Sequence, residues 1–336
     1  MGEIGCEFFA AGDVTLENGE ILNDTRLGYA TFGALNRAAD NAIVMPTHFG
    51  GTHEHSQYLI GSGRALDPDR YFIVIPNLLG NGVSTSPSHG LGADFPRVTI
   101  ADNINLQYRL LTEALGVKAL ALAVGHSMGG VQAYHWAMMY PQFVQRAAPI
   151  CGAARISTHN WVFLEGMRGS LQADPAWAEG RYKSQPIKGL ATMARAWGAW
   201  PPSSHFYRNR FYEGLGFSSA EDFLTRYWEA FYTAMDANNV LAQIATWQSA
   251  DISRVAHFDG DFGNALASIE IPVTVMPSRT DAYFPPEDSE NETALMPNAT
   301  LAVIESEWGH WAGSGRNPAD TDFIDTQLKN LLADNT

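Results

Sequence analysis

Apolar and polar residues alternate in two ways along the first half of the chain. A two-residue period, typical of half-exposed strands, covers Glu7 to Ala11 and Thr25 to Phe32, on either side of Asn18-Gly19. Because Asn-Gly readily adopts positive φ, this pair predicts a hairpin turn. Three short apolar runs follow, which are typical of strands buried on both faces of a parallel sheet: Ala42 to Pro46, Tyr71 to Pro76 and Ala119 to Val124. A further strand is predicted at Val144 to Ile150.

Helical periodicity appears between these runs. Ile100 to Leu115 carries apolar residues at three- and four-residue spacing and is closed by Gly116. The alternation resumes with strands at Ile271 to Met276 and Thr300 to Glu305, and a helix at Pro318 to Leu332 closes the chain. Strands that alternate with helices predict an α/β fold, with a mostly parallel central sheet and helices on both faces.

The regular alternation is interrupted by a long aromatic segment. Six of the nine tryptophans lie in this segment, namely Trp161, Trp177, Trp197, Trp200, Trp228 and Trp247. We expect residues 155–263 to form a helical lid subdomain, inserted into a core made of residues 1–154 and 264–336. Such an aromatic insertion must bury itself, and some of its rings are expected to cover a pocket.

Composition narrows the class of protein. The 336 residues include 21 Lys and Arg against 36 Asp and Glu, giving a formal net charge of −15. This charge repels nucleic acid and anionic membranes. No apolar run reaches the length of a membrane span, and the first 20 residues do not resemble a signal peptide. With only Cys6 and Cys151, no disulfide framework is possible, so we expect a cytoplasmic protein.

Candidate chemistry begins at Gly125-His126-Ser127-Met128-Gly129-Gly130. This segment ends the strand at Ala119 to Val124 and precedes a helix-like stretch, Val131 to Tyr140. A serine between glycines at a strand-to-helix turn projects its hydroxyl from the sheet, and side chains at 125 and 129 would collide with neighbouring backbone. We therefore predict that Ser127 is a nucleophile, the alternative being a helix-capping serine.

A serine nucleophile requires a base, and a carboxylate to orient that base. The histidines downstream of Ser127 are His135, His159, His205, His257 and His310. His310 alone follows the last predicted strand, in a glycine-bounded loop. Asp281, directly after the strand Val273 to Met276, is the best acid; Glu287 and Asp288 are expected in the first turn of the next helix.

The tetrahedral oxyanion needs two backbone donors. One is expected to be the amide of Met128, at the positive end of the helix that follows the nucleophile. The second should come from Thr47 to Thr52, with the Phe49 amide preferred and the Gly50 amide as the alternative.

Metal and nucleotide sites are disfavoured. The cluster His48, His53, Glu54 and His55 lacks the spacing of a helical zinc site. Gly61-Ser62-Gly63 and Gly80-Asn81-Gly82 match neither the dinucleotide fingerprint nor the P-loop. We therefore expect no metal and no cofactor.

With these residues identified, nearly the whole chain resembles the α/β-hydrolase fold and, within it, the homoserine O-acetyltransferase family and its esterase relatives. The matching segments are Gly61 to Asp67 with Tyr71-Phe72, Ala93 to Pro96, Ser127 to Ala133, Ala154 to Ser157, Asn160 to Arg168 and Asp236 to Asn238. The resemblance implies a triad of Ser127, Asp281 and His310. It also matches Arg168 to an arginine that grips an amino-acid carboxylate, and it makes Trp161, in the same lid segment, a candidate substrate contact.

Two departures separate the chain from the acetyltransferases. His126 stands where they usually have Gly, and Gly82 to Pro87 replaces their Gly-Ser-Thr-Gly-Pro loop. We therefore expect a serine ester hydrolase that acts on small acyl esters, acetates above all. The alternative is a homoserine or serine O-acetyltransferase using acetyl-CoA, and a third class is a binding protein without turnover. The expected partner is a small-molecule ester; the oligomeric state stays open, and a homodimer is one possibility.

Overall fold

An eight-stranded sheet organises the computed structural model, which describes residues 5–255 and 257–333. Its strands are β1 (Glu7–Thr15), β2 (Ile21–Phe32), β3 (Ala42–Val44), β4 (Phe72–Pro76), β5 (Leu120–His126), β6 (Ala147–Ile150), β7 (Val273–Val275) and β8 (Ala299–Leu301). They lie in the spatial order β1-β2-β4-β3-β5-β6-β7-β8.

The sheet is mostly parallel, as the sequence predicts. The hairpin β1–β2 is antiparallel and turns at Gly19, whose φ is +84°. Strand β2 runs antiparallel to β4, and from β4 to β8 each neighbouring pair is parallel. The carboxyl ends of the parallel strands therefore meet at one edge, where loops after several strands converge.

Helices cover the sheet and fill the segment between β6 and β7. The helices outside that segment are α1 (Ile100–Arg109), α2 (Met128–Met139), α11 (Pro286–Thr293) and α12 (Pro318–Ala333). Between β6 and β7 lie α3 (Thr158–Gln172), α4 (Ile187–Trp197), α5 (Ser204–Arg208), α6 (Phe211–Gly214), α7 (Ala220–Phe223), α8 (Ala230–Thr233), α9 (Ala237–Gln248) and α10 (Phe262–Ala267). None of the described helices is long and apolar enough to cross a bilayer.

Single helical turns occupy several of the loops. Those of 3₁₀ type are His53–Leu59, Pro87–His89, Gly92–Asp94, Pro175–Gly180, Ile252–Arg254 and Gly309–Ser314. The helix predicted over 100–115 changes to a wider π turn at Leu110–Ala114, where Leu115 N–H donates to the Leu110 carbonyl at 3.1 Å. The chain then leaves the helix at Gly116, whose φ is +68°.

Alternate residues of the central strands face opposite sides of the sheet. Ile43, Ile73 and Leu122 pack with Leu328 of α12 on one face. The intervening residues face the other side, where they meet Ile104 of α1 and the apolar residues of the insertion. Strands buried on both faces explain why the sequence shows continuous apolar runs here.

A buried carboxylate ties the start of the insertion to α11. Glu292 is 5% exposed and accepts hydrogen bonds from the backbone N–H of Ala154 at 3.0 Å and of Arg155 at 3.3 Å. Burial raises the pKa of Glu292 to about 7, while these hydrogen bonds act in the opposite direction. An ionisable side chain thus binds the backbone at the boundary predicted near residue 154. The division into core and lid stays a prediction.

Glu292→Gln is expected to change the pH dependence of stability. An unfolded glutamate has a pKa of about 4.3, so the folded protein binds this proton more tightly. The contribution of Glu292 to the free energy of unfolding is therefore greatest below pH 4 and is lost as the pH rises through about 7. Urea unfolding between pH 5 and pH 8 should show this decline in the wild type and a smaller one in Glu292→Gln. Parallel curves would contradict the assignment.

Candidate active site

The turn between β5 and α2 places Ser127 in a strained backbone conformation. Its φ is 60° and its ψ is −125°, a region that non-glycine residues rarely occupy. A Cβ on Gly125 would lie 2.4 Å from the Gly129 carbonyl carbon, and one on Gly129 would lie 2.6 Å from the Pro46 carbonyl oxygen. The glycines therefore allow α2 to sit against β5 and the end of β3, which holds the serine at the carboxyl edge of the sheet.

Asp281 and His310 form a buried acid–base pair. Asp281 Oδ2 lies 2.7 Å from His310 Nδ1, and each residue is 5% exposed. The other carboxylate oxygen accepts hydrogen bonds from the backbone N–H of Tyr283 at 2.8 Å and of Phe284 at 3.2 Å. Because an ionised carboxylate only accepts, His310 carries its proton on Nδ1, which leaves Nε2 as a proton acceptor.

The loop that carries His310 is fixed from two sides. Gly309, with a φ of +66°, donates its N–H to Thr280 Oγ1 at 3.0 Å. The His310 N–H donates to the carbonyl of Pro201, in the insertion, at 2.8 Å. The position of the imidazole thus depends both on the loop after β7 and on the helical insertion.

His126 also supports this loop. Its Nε2 lies 3.0 Å from the His310 carbonyl oxygen, and the two rings are 4.6 Å apart. The contact with a carbonyl oxygen requires that Nε2 carry a proton. Burial is the main cause that holds the pKa of His126 well below its usual value, so the ring is neutral.

Ser127 and His310 line the same cavity, whose volume is about 320 Å³. Asp281 does not line the cavity itself but contacts it through His310. Asp288, the alternative acid, lies in the first turn of α11. The cavity walls are largely aromatic, from Phe49, Tyr58, Trp197, Tyr227, Trp228, Phe231, Tyr232, Trp247, Tyr283 and Trp311. Its polar residues besides Ser127 and His310 are His48, His55, His126, Ser314 and Arg316.

The two backbone amides predicted to donate to an oxyanion are those of Met128 and Phe49. Met128 begins α2, where a helix leaves its first N–H groups without intrahelical partners, and Phe49 lines the cavity. Among the described residues, neither of these N–H groups has a hydrogen-bond acceptor. The alternative donor, Gly50 N–H, is already bonded to Gln243 Oε1 at 2.9 Å, which leaves Phe49 as the better candidate.

Among the described residues, one group of three side chains has the donor atoms that could bind a metal ion. The donor atoms of His126, Cys151 and His310 lie within 4.8 Å of one another. Burial raises the pKa of the Cys151 thiol well above its usual value, so the sulfur is protonated and a poor metal ligand. His310 Nδ1 is also committed to Asp281. This group is better explained by packing beneath the His310 loop.

The first histidine cluster is bonded to its own loop. His48 Nδ1 lies 2.9 Å from the Phe49 carbonyl oxygen, and His55 Nδ1 accepts the Thr52 N–H at 3.1 Å. Burial lowers the pKa of His48 to about 4, so this ring is neutral at physiological pH. The two imidazoles lie with ring centroids 6.3 Å apart in the cavity wall.

Arg168 and Trp161, the two substrate contacts expected from the lid segment, lie elsewhere. Arg168 Nε is 3.1 Å from Glu165 Oε1, and its Nη2 donates to Gln248 Oε1. It lines a separate depression beside Trp177 and does not border the cavity of Ser127. Trp161 is 46% exposed on the outer side of α3. Neither side chain borders the cavity that holds Ser127, and their role as substrate contacts stays a prediction.

The structure adds contacts that the sequence did not assign. His126 contacts the base loop, Trp311 and Arg316 belong to the segment just after His310, and Tyr283 follows Asp281 by two positions. Their nearness in sequence to His310 and Asp281 was an available signal. The direction in which each side chain points could not be predicted in this way, since it depends on the packing of the insertion.

Comparisons with known proteins agree with this architecture. Residues 42–314 match the family model described as the alpha/beta hydrolase fold. The chain is 38% identical over 334 residues to an ethyl acetate hydrolase of Pseudomonas veronii, covering 97% of this chain and 95% of that protein. It is 31% identical over 312 residues to a homoserine O-acetyltransferase of Trichormus variabilis, covering 88% of this chain and 86% of that protein.

A solved structure extends the comparison to the whole backbone. An acetylester hydrolase from Corynebacterium glutamicum superposes with a TM-score of 0.94, at 36% identity, covering 98% of this chain and 96% of that one. The eight-stranded sheet, the strained serine turn and the family match over most of the chain lead to one conclusion: this protein belongs to the α/β-hydrolase fold family.

Proposed function

We propose that this protein is a serine carboxylic-ester hydrolase that acts on small acyl esters, acetates above all. The observation that carries the proposal is the buried His310–Asp281 pair, 2.7 Å apart, in the wall of the cavity that also holds Ser127. Esterase names among the relatives at 36% and 38% identity support the same class of reaction.

Acylation uses three side chains and two backbone amides. His310 Nε2 accepts the hydroxyl proton of Ser127, and the resulting alkoxide attacks the ester carbonyl carbon. Asp281 keeps the imidazole in the required tautomer and stabilises the imidazolium that forms. The N–H groups of Met128 and Phe49 donate to the oxyanion, each contributing on the order of 3 kcal/mol to lowering the barrier.

Deacylation repeats the proton transfer with water. Acylation ends when the imidazolium gives its proton to the departing alcohol. In deacylation, His310 takes a proton from a water molecule that attacks the acyl-enzyme carbonyl, and returns it to Ser127 Oγ as the acyl–oxygen bond breaks. Ser127 leaves as the hydroxyl, and the acid product carries the acyl group. His310 thus acts as base and acid in each half-reaction.

The size and lining of the cavity favour short acyl groups. A volume of about 320 Å³ lies at the small end of ligand sites. Phe49 stacks on Trp197 with centroids 4.9 Å apart, and Trp247 lies 5.7 Å from Phe49. These rigid rings leave little room for a long chain, in keeping with the ethyl acetate and acetylester names of two relatives.

Acetyl transfer to a hydroxy amino acid is the second candidate, favoured by the homoserine O-acetyltransferase relative. It shares the acyl-enzyme and differs only in whether an alcohol or water reaches it. The argument for it from Arg168 loses its force, because that guanidinium pairs with Glu165 outside the cavity. Hydrolysis therefore remains the preferred function.

The triad assignment is tested by Ser127→Ala and Asp281→Asn. Ser127→Ala should lower the turnover of ethyl acetate by several orders of magnitude, with stability changed by about 1 kcal/mol or less, because the side chain is small. Asp281→Asn should cost on the order of 10⁴ in kcat through loss of imidazole orientation. The matched control Asp288→Asn should be close to wild type; the reverse pattern would assign the acid to Asp288.

A positioning role for His126 is tested by His126→Leu. Loss of the Nε2–H contact with the His310 carbonyl removes a hydrogen bond of about 1 kcal/mol that holds the base loop, so kcat should fall about fivefold while KM changes little. His126→Gln, which retains a donor, should recover part of the loss. If His126→Leu and His126→Gln have the same kcat as each other, or if only KM changes relative to the wild type, the contact does not position the base.

The two candidate reactions are separated by Arg168→Ala with homoserine present. Because Arg168 lies outside the cavity, hydrolysis of ethyl acetate should stay within about threefold of wild type, less than 1 kcal/mol in the barrier. Acetate and O-acetylhomoserine are quantified by chromatography after incubation with acetyl-CoA. Efficient transfer by the wild type that falls a hundredfold in Arg168→Ala would overturn the hydrolase proposal.

A further inference from the structure

Arg316 brings a positive charge into the wall of the cavity that holds Ser127. The residue lies two positions after the short helix Gly309–Ser314 that carries His310, and it is half-buried. Its guanidinium carbon lies 4.3 Å from the centroid of the Trp311 ring and 5.5 Å from that of Tyr227. The guanidinium group is thus held against two aromatic side chains rather than free in solvent.

The hydrogen bonds of Arg316 use only part of its donor capacity. Nη1 donates to Ser314 Oγ at 3.1 Å, and Nη2 donates to the Tyr227 hydroxyl. A guanidinium has five N–H groups, so three have no acceptor within the part of the chain that the structure describes. Both acceptors are neutral hydroxyls, which orient the group without neutralising it.

The charge of Arg316 has no carboxylate partner among the described residues. In contrast, two arginines of the insertion do have such partners: Arg195 pairs with Glu221 and Glu229, and Arg181 pairs with Asp94. Unpaired cations are costly where they lose water. In a chain with 36 acidic residues, an unpaired arginine in the cavity that also holds Ser127 is a position at which a ligand anion would complete the pair.

The residues around Arg316 also suit an anion. His48 and His55 line the same cavity and are held neutral by burial, which lowers the pKa of both rings. Asp281, the carboxylate nearest the reaction, is already satisfied by His310 Nδ1 and two backbone N–H groups. No acidic side chain borders the cavity within the described residues, so none would compete for the guanidinium or repel the anion.

We propose that Arg316 is a specificity residue that binds a carboxylate on the alcohol part of the substrate, so that the preferred substrates are acetate esters of short hydroxy acids. This inference rests on the proposed function. An acetyl group has no room for a charge, which assigns the carboxylate to the alcohol part. A guanidinium fork matches the planar geometry of a carboxylate.

The reaction itself is unchanged by the carboxylate. Water adds across the bond between the acetyl carbon and the alcohol oxygen: the carbon takes the hydroxyl and the alcohol oxygen takes the proton. The products are acetate and a free hydroxy acid, whose carboxylate is the same before and after. Arg316 lowers KM for such esters and does not take part in proton transfer.

The test compares substrates that differ only in charge. Acetoxyacetate and 4-acetoxybutanoate are paired with their primary amides, and ethyl acetate serves as the neutral reference; acetate release gives kcat/KM. The wild type should prefer at least one carboxylate over its amide by about tenfold or more. This preference should fall only modestly as salt is raised, because a half-buried ion pair is screened much less than an exposed one.

Variants separate charge from structure. Arg316→Gln should lose most of the carboxylate-to-amide preference, mainly through KM, and Arg316→Lys should retain part of it. Tyr227→Phe keeps the charge but removes a hydroxyl that orients it, so the preference should largely persist. Arg208→Gln removes an exposed charge from α5, away from the cavity, and should leave the preference unchanged.

The outcomes distinguish this inference from the function on which it rests. A wild type that hydrolyses ethyl acetate and the amides but shows no carboxylate preference overturns the role of Arg316. That role is also overturned if Arg316→Gln loses activity equally on charged and neutral esters with normal circular dichroism, since Arg316 would then only hold the loop. A folded wild type that hydrolyses none of the esters overturns the hydrolase proposal itself.

Discussion

The close packing of α2 on β5 is the constraint on which the rest of this structure depends. It requires Gly125 and Gly129, where a Cβ would approach backbone atoms to 2.4 Å and 2.6 Å, and it forces Ser127 to a φ of 60°. The strain at the serine is compensated by the buried helix and strand that it joins. Because the same turn ends a parallel strand and begins a helix, it aims the hydroxyl at the edge where the other loops meet and places the Met128 amide beside it.

The helical insertion is part of the site rather than a cover laid over it. The Pro201 carbonyl accepts the N–H of His310 at 2.8 Å, and Gln243 accepts the N–H of Gly50 at 2.9 Å. Asn160 donates to the Tyr283 carbonyl oxygen at 3.1 Å, two residues after Asp281. The loops that carry His310, Gly50 and Tyr283 each form a hydrogen bond with the insertion, so their geometry depends on how the insertion folds.

The cavity wall is mostly neutral, with a positive charge at Arg316. Burial keeps His48 and His126 neutral, and the carboxylate of Asp281 is bonded on both oxygens. The aromatic residues from the insertion add apolar contact, while Arg316 supplies a fixed positive charge. A protein with a net charge of −15 thus lines the cavity around Ser127 with neutral and positive side chains.

The sequence by itself determined the fold class, because continuous apolar runs, the Asn-Gly turn and the glycines around Ser127 each express a local requirement of the backbone. It also singled out Asp281 and His310, since each follows a predicted strand and the carboxyl ends of parallel strands share an edge. The tertiary structure alone decided which side chains of the insertion face the cavity. The rotation of α3 turns Trp161 and Arg168 away from it, and the loop after His310 brings Arg316 in. Such directions depend on how helices pack over a distance, and no local pattern of residues encodes them.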